Sequence, residues 1–477
     1  FNPIKNNDLW SGFYYSGESL RTIAVDPRNA SRMLFVNAQW IFNTSDGGVK
    51  FSQVFTKASG TGWRSRGLEN VNTYDVAASR WKTGKNVIFG GYADMGCWRS
   101  LDNGLSWESC NPVQYSASKP VLATPSMRGN QQGLSGRPDP GVIQNTALPL
   151  THPLYHGWLN LDSYRVPFEA DVASSGGWRG TGGNATAFAI DHARTGMVWA
   201  AMGDNIDTQM TLLRSSQSGK FDSWQYASNG IAADDLKHIY GITVDPNSPL
   251  TQRTLFLTAN GEVYRSTDDG LNWTKVLSCR DRTSNQNYCV TTAVDYFNSK
   301  LVYAAGSAGL FVSKDGGDTW EWADNTHMTK PESLAGTFYA YLDRYLISRV
   351  ATDPFAPNRV YMAVLDTRSD GGDRGGIWMS DSGYNWQRLY ANPYMRSVAV
   401  SPYLYLKNEL VATSSMAYTS GGYDPQSFGI LRLNANGKWE QLNKGLSYNN
   451  VSTIAYGTQS GRYVLGSMGQ GVMRNWR

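Results

Sequence analysis

The chain is poor in charge. Asp, Glu, Lys and Arg make up 17% of 477 residues, and the formal net charge is +4. No Lys/Arg run exceeds two residues, so the basic stripe that follows a phosphate backbone is missing and a nucleic-acid partner is not expected. No apolar stretch reaches the roughly 18 residues of a membrane-spanning helix. No long Ala/Glu/Lys/Leu segment carries a helical period, which argues against a helical domain. Cysteine is scarce, at four residues, and forms no CxxC pair, so no metal centre is expected.

The cysteines do fall into two close pairs. Cys97 and Cys110 flank one predicted hairpin, and Cys279 and Cys289 bracket a short polar loop. Of the three possible pairings, these two local ones need the least chain rearrangement. Two short-range disulfides imply an oxidising compartment. The start, Phe1-Asn2-Pro3-Ile4, has neither initiator Met nor signal peptide and reads as a processed mature end. The expectation is a secreted or extracellular protein, with periplasm or cell surface as compatible addresses.

What the chain has in quantity is Gly, at 49 residues, and aromatics, at 13%. That mixture suits many short strands joined by tight turns. One phrase then recurs, Ser-x-Asp-x-Gly-x-x-Trp. It runs from Ser100 to Trp107 around Asp102, from Ser266 to Trp273 around Asp268, and from Ser313 to Trp320 around Asp315. A fourth copy, Ser380 to Trp386 with Asp381, is one residue shorter before its Gly. An early copy, Ser45-Asp46-Gly47-Gly48, is also read as shortened and has Phe51 in the Trp place. Ser215 to Trp224 is a degraded copy without Asp. In such a turn Asp satisfies backbone donors and Gly supplies positive φ. These five aspartates, Asp46, Asp102, Asp268, Asp315 and Asp381, are therefore read as structural.

Each phrase sits in a larger unit. An apolar strand leads to an Asp-Pro turn (Asp26-Pro27, Asp245-Pro246, Asp353-Pro354), a second and third strand follow, and the Trp opens a fourth. Four short strands per about 40 residues is a propeller-blade period. Units begin near residues 21, 73, 185, 238, 290, 347 and 396, and Val451 to Trp476 supplies three more strands. The fold expected is all-β: one domain over residues 1–477, a single β-propeller of eight four-stranded blades. Seven blades is the alternative. Leu9 to Tyr15 would add the missing outer strand to the last blade and so remove a free sheet edge. Residues 112–184 carry no repeat and form a long insertion, a length that usually signals function.

The repeated phrase resembles the Asp box, or BNR repeat, of sialidases, xyloglucanases of the oligoxyloglucan-hydrolase type and sortilin-like receptors. The segment Tyr92-Ala93-Asp94-Met95-Gly96-Cys97-Trp98-Arg99-Ser100 further resembles a xyloglucanase segment that carries a catalytic Asp, and Asp94 is the matching position. That family builds its cleft between two propellers, each supplying one carboxylate. This chain has one, so the second acid has no matched position. The Arg-Ile-Pro phrase of sialidases does not occur.

Propeller sites gather near the central axis, so the turns between second and third strands hold the acidic candidates. They are Asp94, Asp204, Asp207 and Asp366, with Asn260, Asp370 and Asp373 beside them. Two of these carboxylates across a sugar would serve as acid and base, or acid and nucleophile. Aromatic rings stack on sugar faces, which singles out Trp40, Tyr92, Trp98 and Trp178 as substrate-binding candidates. The insertion adds His152, His156, Tyr164 and Arg165, residue types that a polysaccharide lyase would use on a uronate and that also serve as ordinary polar loop residues. No cofactor is required. A structural Ca²⁺ is compatible with the acidic stretch Asp366 to Asp373, though no EF-hand phrase accompanies it. The expected function is a secreted glycoside hydrolase acting on an extracellular polysaccharide. The alternatives are a non-catalytic binding, adhesive or surface-assembly propeller with a glycan or protein partner, and a lyase.

Overall fold

The computed structural model describes residues 22–36, 41–49, 52–54, 56–59, 62–65, 72–93, 96–111, 184–207, 209–220, 223–280, 288–323, 345–367, 374–415, 427–444, 446, 449–459, 462–468 and 471–474. They form eight antiparallel sheets of three or four strands and one two-stranded hairpin. Seven of these sheets, here blades 1 to 7, contribute inner strands to one axial cavity: Thr73–Ala78, Asn184–Ile190, Gly241–Val244, Cys289–Val294, Tyr345–Thr352, Met395–Val400 and Val451–Tyr456. This is the arrangement of a β-propeller. The inner strands run in one sense along the axis. We call the end where they begin the upper face, and the end where they stop the lower face.

Sequence pattern explains the layering. Inner strands such as Cys289–Val294 are buried at every position, because one face meets the axis and the other meets the next blade. Outer strands such as Gln387–Ala391 are half-buried or exposed at every position. The core is therefore a series of layers between blades. Phe89 of blade 1 stacks on Phe188 of blade 2 at 5.1 Å, with Trp224 fully buried nearby. Each such ring contributes about 1.5–3 kcal/mol through burial. Gly91 lies so close to the Ala185 carbonyl that a Cβ would collide with backbone, which explains a glycine inside that strand.

Blades are stitched along the axis by hydroxyls. Thr243 Oγ1 donates to the Thr292 carbonyl at 2.8 Å, and Thr352 Oγ1 to the Val294 carbonyl at 2.8 Å. Blade 7 meets blade 1 in the same manner. Ser452 Oγ donates to the Thr73 carbonyl at 3.1 Å, and Asn72 forms a β-bridge with Met468. The eight repeat units thus correspond to eight sheets, while the cavity wall draws on seven. The first sheet, Thr22–Gln53, adds no residue to that wall among the described residues, and its first strand, Thr22–Val25, is exposed throughout. Blade 7 shows three strands, and the closing segment Leu9–Tyr15 lies outside the described residues. Both cysteine pairs are disulfide-bonded. Cys97–Cys110 lies within blade 1, and Cys279–Cys289 ties the end of blade 3 to the start of blade 4.

The repeated turns share one bonding scheme. In the second copy Asp102 accepts from the Ser106 backbone and hydroxyl at 2.8 and 2.6 Å, while Ser100 Oγ receives the Gly104 N–H at 2.7 Å. Asp268 and Asp315 repeat it, with Asn272 and Thr319 in the place of Ser106. Two register readings need correction. The early copy is full length, because Thr44 takes the Ser role, bonding Asp46 at 2.7 Å and receiving the Gly48 N–H at 3.1 Å. In the shortened copy Ser382 stands two residues after Ser380 and accepts the turn N–H of Asn385 at 3.4 Å, so Asp381 is displaced and pairs with Arg359 at 2.7 Å.

Hydrogen bonds to a carboxylate favour its charged form. Burial pushes Asp102 and Asp268 up, but the bonds from Ser106 and Asn272 outweigh it and hold both below the ordinary value. Asp315, bonded first by the Thr319 hydroxyl, is lowered to about 2. A depressed folded-state pKa contributes stability above the unfolded pKa, and that stability is lost as pH falls through the folded value. Melting temperature should therefore fall from about pH 4 to about pH 2. Asp315→Asn should lower it at neutral pH and flatten part of that acid slope, as read by thermal unfolding across pH.

Candidate functional site

Near the upper face, six of the seven inner strands carry a register shift at the same level. The residues at the shift are Tyr74, Thr186, Val290, Ser348, Arg396 and Ser452. In blade 3 Tyr240, one residue before its inner strand, occupies the corresponding place. All seven line a compartment of about 110 Å³. A bulge re-aims a side chain without breaking the sheet, and bulges recur beside active sites. The bulges place Tyr74, Arg396 and the hydroxyl residues Thr186, Ser348 and Ser452 around the axis, and Tyr240 joins them from blade 3.

Below this ring Asp75 of blade 1 faces Arg349 of blade 5, with Nη2 to Oδ1 at 3.6 Å. The pair spans the axis. Asp75 is 4% exposed and also accepts the Phe188 N–H at 3.0 Å. Burial raises its pKa, and the Arg349 charge and the Phe188 bond offset this only in part. Asp75 thus holds a proton more readily than a surface carboxylate. Beneath the pair the cavity widens to about 400 Å³ and ends at the lower face among Arg80, His192 and Tyr296.

The turn bearing Asp94 starts at the upper rim. Tyr92 pairs with Thr73, and the Ala93 N–H donates to the Asn72 carbonyl at 2.9 Å. Asp94 itself lies outside the described residues, as do Trp40, His152, His156, Tyr164, Arg165, Trp178, Asp370 and Asp373. Asp204 lies on the strand Val198–Asn205, at its upper end. Asp207 stands 3.6 Å from His238 Nε2. Burial lowers His238 to about 4, against an upward push from Asp207, so this contact is not an ion pair at neutral pH. The His238 N–H bonds the Ile206 carbonyl at 2.8 Å and the Asn260 N–H bonds the Lys237 carbonyl at 2.8 Å, which latches three upper turns together. Asp366 ends its strand 4% exposed, its N–H bonded to the Pro393 carbonyl at 2.9 Å. Trp98 is 5% exposed and sits within the third strand of blade 1, so it packs the blade and offers no ring to a ligand. Tyr92 is half-buried at the rim. No group of three or more His, Cys, Asp or Glu side chains able to hold a metal occurs among the described residues.

Asp75, Arg349, Arg396, Tyr74 and Tyr240 were not singled out by sequence. Their signal was a charged residue inside a short apolar strand, as in Thr73–Ala78, which alternation alone assigns to a solvent face.

No family model and no curated protein matches the chain. Among solved structures it is similar to a GH74 enzyme of Niastella koreensis, at 14% identity over 96% of this chain and 60% of that one, with a TM-score of 0.49. It is also similar to the extracellular domain of a hybrid two-component system of B. thetaiotaomicron, at 10% identity over 86% and 39%, TM-score 0.48. A third likeness is to YCF48 of Cyanidioschyzon merolae, at 12% identity over 85% and 95%, TM-score 0.45. The chain spans about 60% and 39% of the first two structures' lengths.

Proposed function

We propose that the protein is a secreted carbohydrate-active propeller, a glycoside hydrolase that acts on an extracellular polysaccharide at the upper mouth of its axial cavity. The observation that carries this reading is where the chain enters the segment that bears Asp94, at Tyr92 and Ala93. Its first residues bond to Asn72 and Thr73, at the rim of the compartment that holds the buried acid Asp75. The resemblance of Tyr92–Ser100 to the xyloglucanase segment gives Asp94 the role of one reacting carboxylate. Asp75 is then the second, the partner that the two-propeller family takes from its other domain. Its raised pKa suits the carboxyl that delivers a proton to the leaving oxygen, and Asp94 takes the base or nucleophile role. Tyr74, Tyr240 and Arg396 would hold the sugar. The two disulfides support an oxidising, extracellular setting. Among the described residues no helix is long and apolar enough to cross a membrane.

The test compares wild type and Asp94→Asn in two assays on the same polysaccharide. Reducing-end release should vanish in the variant while retention on an insoluble glycan persists. Equal release by both proteins would remove Asp94 from the mechanism.

A specific observation favours a second reading, a non-catalytic glycan-binding propeller. Asp207 stands 3.6 Å from His238 and Asp366 is 4% exposed at its strand end, which favours structural roles for these two expected acids. Under that reading the same glycan retention would appear with no release at all.

A further inference from the structure

We propose that the lower mouth of the axial cavity is a separate binding site for a single carboxylate carried on a sugar ring, a uronate, with Arg80 as its counter-ion. The site lies on the face opposite the Asp94 turn and does not depend on it.

The mouth is built by a repeat of position. Two residues beyond the end of six inner strands, one side chain reaches the cavity: Arg80, His192, Pro246, Tyr296, Pro354 and Pro402. The residue before it is an aspartate in blades 2 to 5. Those aspartates are committed elsewhere. Asp245, Asp295 and Asp353 accept backbone N–H groups of their own turns at 2.8–2.9 Å. Asp191 is held by Arg253 and Arg194, and Arg194 also grips Asp269. Two arginines there balance two aspartates. Arg349 faces Asp75.

Arg80 is the exception. Blade 1 carries Ser79 where blades 2 to 5 carry the aspartate, and Ser79 Oγ bonds Asn86 instead, at 3.0 Å. The Arg80 guanidinium contacts His192 Nε2 at 2.7 Å and the Ala78 carbonyl at 3.4 Å, and no carboxylate among the described residues. Burial weakens its hold on a proton, with only the nearby Tyr296 and Tyr403 acting in the other direction. Arginine nevertheless stays charged. A half-buried cation with no counter-ion among the described residues is costly, and an anion from outside removes that cost.

The charge count selects the anion. A guanidinium accepts no hydrogen bond, so His192 Nε2 is the acceptor of the 2.7 Å contact and the imidazole is not a second cation. Burial, reinforced by the Arg80 charge, lowers His192 to about 3. One positive charge matches a carboxylate, whereas a dianionic phosphate would remain half neutralised. The walls select the ring. Tyr296 is 38% exposed at the rim, beside the prolines, and gives a flat apolar face for the C–H side of a sugar. The hydroxyls of Thr243, Thr292 and Thr352 line the wall and keep acceptor capacity for sugar O–H groups. A volume of about 400 Å³ admits one sugar residue, within the usual range of ligand pockets.

The experiment is isothermal titration of the full chain with D-glucuronate, D-glucose, benzoate and inorganic phosphate. Glucuronate should bind at least about tenfold more tightly than the other three, and Arg80→Gln should weaken it by about tenfold or more. Tyr296→Ala, at an exposed position that the fold does not need, should weaken it several-fold and decides the matter if Arg80→Gln does not fold. Asp94→Asn should leave glucuronate binding unchanged, which separates this site from the hydrolytic one. Glucose binding as tightly as glucuronate, benzoate or phosphate matching it, or unaltered binding in both rim variants would overturn the proposal.

Discussion

Asp94→Asn is expected to reduce the rate of glycosidic cleavage by about 10²–10⁴-fold while glycan affinity changes little. Asparagine keeps the size and shape of the aspartate side chain. It cannot take a proton or attack a sugar carbon. If Asp94 acts only as a turn residue, Asn serves nearly as well and the rate holds. Asp75→Asn gives the complementary result under the same reading. A carboxyl raised by burial is protonated, and therefore competent as an acid, up to a higher pH than a surface one. Wild-type kcat/KM should fall on the alkaline side as Asp75 loses its proton, and Asp75→Asn should be inactive across that whole range. The sign for stability is opposite to that of the turn aspartates. A raised folded-state pKa favours the fold at low pH, and that contribution is lost as pH rises, so Asp75→Asn should not destabilise the protein at neutral pH.

Arg253→Leu is expected to lower the free energy of unfolding by about 3–5 kcal/mol, measured by urea denaturation. Arg253 and Asp191 are both nearly fully buried and join blade 3 to blade 2 through two bonds, of 2.8 and 3.0 Å. Removing the guanidinium leaves a buried carboxylate with one arginine, Arg194, which Asp269 also claims. Burial pushes Asp191 up, yet Arg253 and Arg194 outweigh it and hold it below the ordinary value. Its contribution is therefore present above the unfolded carboxylate range and is lost in acid. The gap between wild type and Arg253→Leu should narrow as pH falls. A double-mutant cycle with Asp191→Asn should show strong coupling, because the two side chains act as one unit. Additive losses would mean that packing, and not the ion pair, joins the blades.

The sheets and turns were legible because their information is local. A Ser-x-Asp-x-Gly phrase carries its own hydrogen-bond partners within five residues, so three turns and both disulfides could be read directly from the chain. The same locality misled at two copies. Thr44 can replace Ser because only a hydroxyl is required, and Ser382 displaces Asp381 because spacing from Ser380, not residue type, decides which side chain reaches the turn. The upper site was illegible for a different reason. Its bulges are defined by two strands together, and one strand alone does not reveal them. Asp75 and Arg349 meet only after three blades have been placed between them in the chain. Trp98 shows the opposite error: an aromatic residue near a predicted site turned out to be blade packing.

Product analysis across a panel of polysaccharides, with reducing ends and the absorbance of unsaturated uronates read together on the wild-type protein, tests the central claim most directly. A hydrolase at the upper mouth predicts new reducing ends with no unsaturated product on at least one polymer. Unsaturated uronates would move the chemistry to elimination and to His152, His156, Tyr164 and Arg165. No cleavage of any polymer, with glycan retention intact, would contradict the hydrolase and leave a binding propeller.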